Sequence, residues 1–229
     1  MSHRINITRI KAVSNALGYL KDKVVFVGGA TVSLYADRAA AEVRPTEDVD
    51  VLVEIFSRWD YAALEEQLRK MGFRNDVTSK FLGRYLLPGV IVDVMPVEES
   101  ILGFSNQWYG EGFKTAVDYR LDEQHTVKIF SPPYFMASKV EAFKNRGKND
   151  GRTSSDFEDI VYLLEFRRSI WQEMKDTASP IKEYLREEFT ALKKNPYLEE
   201  WIDACASSYS PSSSYFIMQD LEEFVSGKD

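Results

Sequence analysis

The first half of the chain alternates between helical and extended hydrophobic patterns. Short continuous apolar runs, such as Val24-Val25-Phe26-Val27, are typical of buried strands, whereas apolar residues at intervals of three and four indicate helices. Pro88-Gly89 separates two apolar runs and predicts a turn between strands. The pattern predicts helices over 8–21, 30–37 and 57–71, and strands over 24–27, 49–54, 80–87, 90–95 and 126–130.

Beyond Pro132-Pro133, the hydrophobic pattern of the second half becomes helical. One apolar stripe contains Met136, Val140 and Phe143, and Ser155-x-x-Glu158 is a capping box that predicts the start of the next helix. Later helices are predicted over 181–193, 197–206 and 216–225, with a serine-rich loop at 207–214. A proline pair cannot continue a β-ladder. We therefore divide the chain into domains 1–131 and 132–229.

The overall charge limits the kind of partner that the chain can bind. Its net charge of −7 argues against a general nucleic-acid binder, because such binding rests on neutralising phosphates with lysine and arginine. Any RNA contact is therefore expected to be local, and the best candidate is the basic segment 139–152. A solvated helix end explains such a segment equally well.

Three features bear on the compartment. No apolar run approaches the roughly 20 residues of a membrane-spanning helix. The first residues, Met1-Ser2-His3-Arg4, do not lead into the apolar core of a secretion signal. Cys205 is the single cysteine, which excludes an intrachain disulfide and fits a reducing compartment. We therefore expect a cytoplasmic protein without a membrane partner.

The strongest candidate site combines a glycine turn with three carboxylates. Gly28 and Gly29 lie between a predicted strand and a predicted helix, where backbone N–H groups can face phosphate oxygens. Asp48 and Asp50 are two residues apart in a valine-rich strand, so both side chains leave the same face. Asp93 lies in a third apolar run, where an unpaired carboxylate is costly to bury. A metal ion shared by the three carboxylates removes that cost.

Each of these features also has a purely structural explanation. Adjacent glycines occur where close packing or a positive φ is needed. An Asp-x-Asp at a strand end is often solvated, and Asp156, in the first turn of a predicted helix, is favoured there by the helix dipole. The combination, more than any one part, favours a functional site.

This combination resembles the DNA polymerase beta nucleotidyltransferase superfamily, whose pattern is an apolar strand, a glycine pair, a helix, Asp-x-Asp and a separate third carboxylate. Three segments look like the AbiEii type IV toxin group and related uncharacterised bacterial proteins: Arg44-x-Thr46-x-Asp48-x-Asp50, Ser138-Lys139-x-x-Ala142 and Asp156-x-x-Asp159-Ile160. The resemblance covers roughly residues 24–165. It implies an α+β fold, with an N-terminal nucleotidyltransferase-type mixed β-sheet flanked by helices, followed by a C-terminal helical bundle.

The resemblance also implies roles for individual residues. The implied catalytic and metal-binding residues are Asp48, Asp50 and Asp93, and the implied nucleotide-binding residues are Gly28, Gly29, Thr46, Lys139, Arg146 and Asp156. Lys139 and Arg146 are seven residues apart, so two helical turns place them on one face.

The implied chemistry is transfer of a nucleoside monophosphate from an NTP to a hydroxyl acceptor, with release of pyrophosphate. Two divalent ions about 4 Å apart can clamp the attacking and leaving oxygens. Oxygen ligands favour Mg²⁺ or Mn²⁺ over zinc. Asp48 and Asp50 are expected to bind the ion on the triphosphate, and Asp93 the ion near the acceptor, whose proton it also helps to remove.

Several alternatives stay open on the sequence. The resemblance implies RNA (a tRNA end) or a protein side chain as the acceptor and an antitoxin protein as a partner, while a small-molecule acceptor such as an antibiotic hydroxyl remains open. A second hypothesis is a catalytically inactive nucleotide-binding or interaction module. Ser154-Ser155, which stand where the toxin group has a basic residue, favour it. A third is that the glycines and aspartates are only structural.

Overall fold

A seven-stranded mixed β-sheet flanked by helices makes this an α+β protein. The computed structural model describes residues 2–37, 43–103, 105–148, 150–206 and 213–227. The strands are β1 (Val24–Val27), β2 (Asp48–Val53), β3 (Arg74–Asn75), β4 (Arg84–Leu87), β5 (Val90–Pro96), β6 (Val117–Arg120) and β7 (Thr126–Ile129). They pair in the order β3-β4-β5-β2-β1-β7-β6, with β1–β7 and β2–β5 parallel and the other pairs antiparallel.

Helices occur along the whole chain. The α-helices are α1 (Ser2–Leu17), α2 (Arg58–Lys70), α3 (Glu99–Leu102), α4 (Tyr109–Lys114), α5 (Pro132–Arg146), α6 (Ser155–Phe166), α7 (Ile170–Asp176), α8 (Ser179–Lys193), α9 (Leu198–Cys205) and α10 (Ser213–Ser226). In the described part of the chain, 3₁₀-helices span Gly18–Lys23 and Gly29–Tyr35. Among the described residues, no helix combines the length and apolar character needed to cross a bilayer.

The central strand β2 separates valines from carboxylates. Val49, Val51 and Val53 are buried, whereas Asp48 and Asp50 alternate with them and leave the opposite face. On the valine face, Val51 and Val53 line a cavity of about 280 Å³ together with residues of α1 and α2. The helices therefore cover the valine side of the sheet, which leaves the carboxylates on the other side.

The chain divides into two compact units, Met1–Leu34 with Glu42–Ser131 and Tyr35–Ala41 with Pro132–Asp229. All the described strands belong to the first unit, and α5 to α10 belong to the second. A division at the proline pair, as predicted from the sequence, places residues 35–41 in the N-terminal domain. In the structure Tyr35 joins the second unit, because its ring stacks on Phe135 at 4.3 Å between centroids and its carbonyl oxygen accepts a hydrogen bond from Arg167 at 2.8 Å.

Aromatic side chains form much of the core of the second unit. Phe143, Phe157 and Trp201 contact one another, with ring centroids 5.0 to 6.2 Å apart, and so join α5, α6 and α9. A second group, Trp171, Phe189 and Phe224, joins α7, α8 and α10 in the same way. Aromatic contacts thus connect helices that are distant along the chain.

Two predicted element boundaries in the first unit were wrong. The strand expected over 80–87 begins only at Arg84, because Leu82 and Gly83 form a turn in which the Arg84 N–H donates to the Phe81 carbonyl oxygen at 3.2 Å. The helix expected over 8–21 runs from Ser2 to Leu17, and Gly18, at φ +52°, starts a 3₁₀ segment instead. Glycine tolerates that conformation because it lacks a Cβ.

Two further local expectations also differ from the structure. The helix predicted over 30–37 is a 3₁₀-helix, Gly29–Tyr35. The cap of α6 is Ser154 rather than Ser155, because the Ser154 hydroxyl accepts the hydrogen bond from the Phe157 N–H. The second difference falls at an element end, where two neighbouring serines compete for one role.

Substitution of Phe26 tests the core of the sheet. Phe26 lies on β1 and is fully buried, so Phe26→Ala is expected to lower the free energy of unfolding by about 3–5 kcal/mol. The matched control is Phe56→Ala, since the Phe56 side chain is 68% exposed, and its effect should stay within about 0.5 kcal/mol. Urea unfolding followed by circular dichroism measures both, and equal losses would contradict the assigned core.

Candidate functional site

A row of charged residues crosses three neighbouring strands at the same level. Asp50 on β2 is the direct partner of Asp93 on β5, and Asp93 is in turn the direct partner of Arg84 on β4. Directly paired residues of adjacent strands point to the same face and lie about 5 Å apart. Two carboxylates and a guanidinium are therefore neighbours on the sheet, and Asp48, two residues before Asp50, shares their face.

Arg84 binds Asp93 with two parallel hydrogen bonds. Its Nε donates to Asp93 Oδ1 at 2.7 Å, and its Nη2 donates to Asp93 Oδ2 at 2.6 Å. The same Nη2 lies 3.3 Å from Asp48 Oδ2. A bidentate arginine–carboxylate pair is among the strongest charged contacts in proteins. Arg84 thus bridges two of the three predicted site carboxylates.

The burial of these groups differs. The Asp93 side chain is only 10% exposed, whereas the Asp48 and Arg84 side chains are 37% and 28% exposed. The hydrogen bonds to Asp93, and the negative charges of Asp93, Asp48 and Asp50, raise the pKa of Arg84 above its already high usual value. Arg84 is therefore permanently charged here, as a nearly buried carboxylate partner requires.

Gly28 and Gly29 make room for side chains of the site itself. Gly28 has a φ of +73°, and a Cβ at this position would come within 1.9 Å of Asp50 Oδ2. A Cβ at Gly29 would come within 2.3 Å of Arg44 Nη2 and 2.9 Å of the Thr46 methyl group. At both positions the nearest atom is the end of a side chain, so an alanine would require Asp50 or Arg44 to move away from the turn. The glycine pair therefore lets Asp50, Arg44 and Thr46 approach the end of β1.

Thr46 is held by α1. Its hydroxyl donates a hydrogen bond to Asn6 Oδ1 at 3.2 Å, and both residues are buried. Within the described residues, the amide nitrogen of Asn6 has no hydrogen-bond partner. The hydroxyl of Thr46, predicted to bind nucleotide, is thus used in a contact that ties the segment before β2 to α1.

Lys139, Arg146 and Asp156 form a separate charged cluster, which belongs to the second unit. Lys139 Nζ lies 3.1 Å from Asp156 Oδ1 and 2.6 Å from Asp159 Oδ2, and its side chain is only 6% exposed. Arg146 donates to both oxygens of Asp156 at 2.6 and 2.9 Å, but its own side chain is 70% exposed. These contacts join α5 to α6, so the cluster stabilises the helical unit.

The pKa of Asp156 reflects this arrangement. Burial alone raises the pKa of a carboxyl group, but hydrogen bonds from Arg146 and the positive charges of Lys139 and Arg146 outweigh it and lower the pKa of Asp156 to about 2. The carboxylate is therefore ionised throughout the physiological range. Its contacts with Lys139 and Arg146 join α5 to α6.

The structure thus places the predicted residues in two groups. Gly28, Gly29, Thr46, Asp48, Asp50 and Asp93 lie together in the first unit, and Lys139, Arg146 and Asp156 lie together in the second. The sequence interpretation missed Arg84, although a signal was present. A two-residue turn at Pro88-Gly89 pairs Leu87 with Val90, and counting back along the hairpin pairs Arg84 with Asp93. For Asn6 the sequence contains no comparable signal.

The donor chemistry at the three carboxylates suits Mg²⁺ or Mn²⁺, since both prefer oxygen ligands. The position between Asp48 and Asp93, however, is taken by the Arg84 guanidinium. As the side chains stand, no three histidine, cysteine, aspartate or glutamate residues in the described ranges converge closely enough to hold a metal ion. In this structure the counter-cation of Asp93 is therefore Arg84.

No family model matches the chain, and no curated protein does either.

Alanine at Gly28 should displace Asp50. Gly28→Ala introduces both backbone strain at φ +73° and a clash with the Asp50 carboxylate, whereas Gly89→Ala, at φ +75° with open space around it, introduces the strain alone. The control is expected to cost about 1–2 kcal/mol of unfolding free energy. Gly28→Ala should cost at least about 1 kcal/mol more. Urea unfolding of both variants gives the difference, and equal losses would show that Asp50 does not press on Gly28.

Substitution of Asp156 should remove a pH-dependent part of the stability. Because its folded pKa of about 2 lies below the unfolded value near 3.9, the carboxylate contributes about 2 kcal/mol above pH 4, and this is lost as the pH falls toward 2. The stability difference between wild type and Asp156→Asn should therefore shrink across this range. Urea titrations at several pH values measure it.

The matched control is Asp203→Asn, which removes an exposed carboxylate of α9 and should change the stability by less than about 0.5 kcal/mol at each pH. A wild-type advantage over Asp156→Asn that stays constant from pH 7 to pH 3 would contradict the assigned pairing.

Proposed function

We propose that the chain is a metal-dependent nucleotidyltransferase that transfers a nucleoside monophosphate from an NTP to a hydroxyl acceptor and releases pyrophosphate. The observation that carries the proposal is the direct pairing of Asp50 with Asp93 across β2 and β5, with Asp48 on the same face. Three carboxylates on adjacent strands provide the oxygen ligands that this chemistry needs. The resemblance to the DNA polymerase beta superfamily adds support through the same residues and the glycine pair.

The residues of the first unit take distinct roles in this proposal. Asp48, Asp50 and Asp93 would hold Mg²⁺ or Mn²⁺, which when bound neutralises charge on the phosphoryl oxygens. Gly28 keeps the Asp50 carboxylate close to the end of β1, and Asn6 orients Thr46 beside Gly29. An oxygen of Asp93 takes the proton of the acceptor hydroxyl. For that step Arg84 must release at least one Asp93 oxygen.

The finer architecture belongs to the same proposal. We assign residues 1–131, apart from the segment that joins the second unit, to a nucleotidyltransferase-type domain, and residues 132–229 to a C-terminal helical bundle. The acceptor that the resemblance implies is a tRNA end or a protein side chain. The same proposal includes an antitoxin protein as partner and a cytoplasmic location. Because Lys139 is buried between two carboxylates, the proposal does not depend on its reaching a nucleotide.

A second candidate function is a non-catalytic nucleotide-binding or interaction module. The observation that favours it is the bidentate contact of Arg84 with Asp93, which neutralises the third carboxylate without a metal. In this alternative the guanidinium replaces the metal permanently. The two candidates differ in whether label from an NTP ever leaves the protein in covalent form.

The decisive assay incubates the protein with each α-labelled NTP, with Mg²⁺ or Mn²⁺, and with a cell extract containing RNA and protein. We expect label to move to one class of acceptor. Asp50→Asn should reduce the transfer at least about 100-fold, because loss of a residue that only supports a metal ligand already costs about 10–100-fold and Asp50 would bind the metal directly. The control is Asp118→Asn, which changes an exposed carboxylate on β6 of the same sheet and should leave transfer unchanged.

Circular dichroism confirms that each variant is folded. Absence of transfer from folded wild-type protein with every NTP and both metals would overturn the enzyme proposal. If NTP binding were nevertheless present and depended on Asp50, the non-catalytic module would be the correct function.

A further inference from the structure

The contact between Arg84 and Asp93 uses the same oxygens that a metal ion would need. Both Asp93 oxygens accept hydrogen bonds from Arg84, at 2.7 and 2.6 Å, and the guanidinium also contacts Asp48. A divalent ion at Asp93 must bind one of these oxygens at about 2.0–2.1 Å, the distance for Mg²⁺, and at that separation the metal ion and the positively charged guanidinium repel each other. Guanidinium and metal therefore compete for Asp93.

The backbone makes this competition unavoidable. Arg84 and Asp93 are direct partners in the β4–β5 hairpin, whose register is set by the Pro88-Gly89 turn. Arg84 therefore stays beside Asp93 whatever its side chain does. The side chain itself is 28% exposed and has several rotatable bonds, so the guanidinium can leave Asp93 without any movement of β4.

Loss of the guanidinium without a replacement would be unfavourable. The Asp93 side chain is 10% exposed, and a carboxylate buried to that extent requires a partner of opposite charge. A divalent ion provides such a partner. The favourable process is therefore an exchange of one cation for another, so that Asp93 has a cationic partner both before and after metal binding.

We propose that Arg84 is a displaceable counter-cation of the candidate metal site, which holds Asp93 when no metal is bound and lowers the affinity of the site for divalent ions. The inference rests on the proposed function for the identity of the metal ligands. Arg84 is a positioning residue, because it acts on the reaction only through the carboxylates that it contacts, Asp93 and Asp48. Arg84 and the metal ion bind the same carboxylate, so their binding is coupled. This coupling is reciprocal, because the metal weakens the binding of Arg84 to Asp93 by the same free energy as Arg84 weakens the binding of the metal.

The test measures Mn²⁺ binding in the absence of nucleotide. Titration followed by the electron paramagnetic resonance signal of free Mn²⁺ is performed on wild type, Arg84→Met and Arg84→Gln, which remove the charge and differ in polarity. We expect both variants to bind Mn²⁺ at least about tenfold more tightly than wild type, within the usual range of coupling between two sites. Adding Asp93→Asn to either variant should abolish the gain.

A matched control separates this effect from a general change of charge. Lys128→Met removes another positive charge from the same sheet. Lys128 lies 3.3 Å from the Asp118 carboxylate, on a strand that is not adjacent to the strands of the three aspartates. This substitution changes the net charge by the same amount as Arg84→Met, and it should leave Mn²⁺ affinity unchanged.

Thermal unfolding provides a second readout. Without metal, both Arg84 variants should melt below wild type, because Asp93 has lost its partner. Saturating Mn²⁺ should then raise their melting temperature by more than it raises that of wild type. If Arg84→Met does not fold, Arg84→Gln, which retains hydrogen-bond donors, carries the comparison.

Several results would overturn the inference. Folded Arg84 variants that bind Mn²⁺ no more tightly than wild type, or that do not bind it at all, would show that Arg84 does not compete with the metal. A gain that survives Asp93→Asn would place the metal elsewhere. Failure of nucleotidyl transfer alongside the expected gain in Mn²⁺ affinity would reject the proposed function while leaving the role of Arg84 intact.

Discussion

The most demanding constraint in the first unit is the burial of Asp93 beside two other carboxylates. The side chain lies in the middle of an apolar strand, directly next to Asp50 on the parallel neighbour β2. Like charges at this spacing repel each other strongly when solvent is largely excluded. A cation must therefore stand among them, and Arg84 does so through two hydrogen bonds to Asp93 and a contact with Asp48. The arrangement of β4, β5 and β2 depends on this balance of charge.

The helical unit solves a similar problem in a different way. Asp156 and Asp159 are almost fully buried, and Lys139 lies between them with its own side chain buried as well. Arg146 also binds Asp156 and is exposed, but Lys139 is as buried as the two carboxylates and contacts both of them, so the contacts favour a fixed structural role. Arg84 is more exposed than its partner Asp93, which gives it a route to solvent that Lys139 lacks. This contrast is the physical reason for assigning exchange to one cluster and stability to the other.

The glycine pair illustrates how one sequence feature can have more than one physical cause. Two glycines after a strand suggest backbone donors that face a phosphate. The structure adds a different requirement, because Asp50 and Arg44 occupy the space that side chains at Gly28 and Gly29 would need. Both requirements select glycine, and they are compatible. The turn therefore contributes to the site by leaving space for the side chains of Asp50 and Arg44.

The sequence predicted the elements around the site well where periodicity was strong. The strands β1, β2, β5 and β7 fall within a residue or two of the expected ranges, because they are rich in β-branched residues, which favour extended structure. Element ends were less accurate: Ser154 replaced its neighbour as a cap, and β4 began four residues later than expected. These ends depend on single contacts, such as the hydrogen bond from the Arg84 N–H to the Phe81 carbonyl oxygen, which the hydrophobic periodicity does not encode.

By itself, the sequence determined that Asp48 and Asp50 share one face, since alternation along a strand is a local property, and the hairpin turn determined that Arg84 faces Asp93. Only the tertiary structure decided that β2 lies parallel to β5, which sets Asp50 beside Asp93. It also decided that Lys139 is buried between carboxylates and that Arg84 holds Asp93. These outcomes required packing between segments far apart in the chain, and the choice of partner for a buried charge depends on which opposite charge that packing brings within reach.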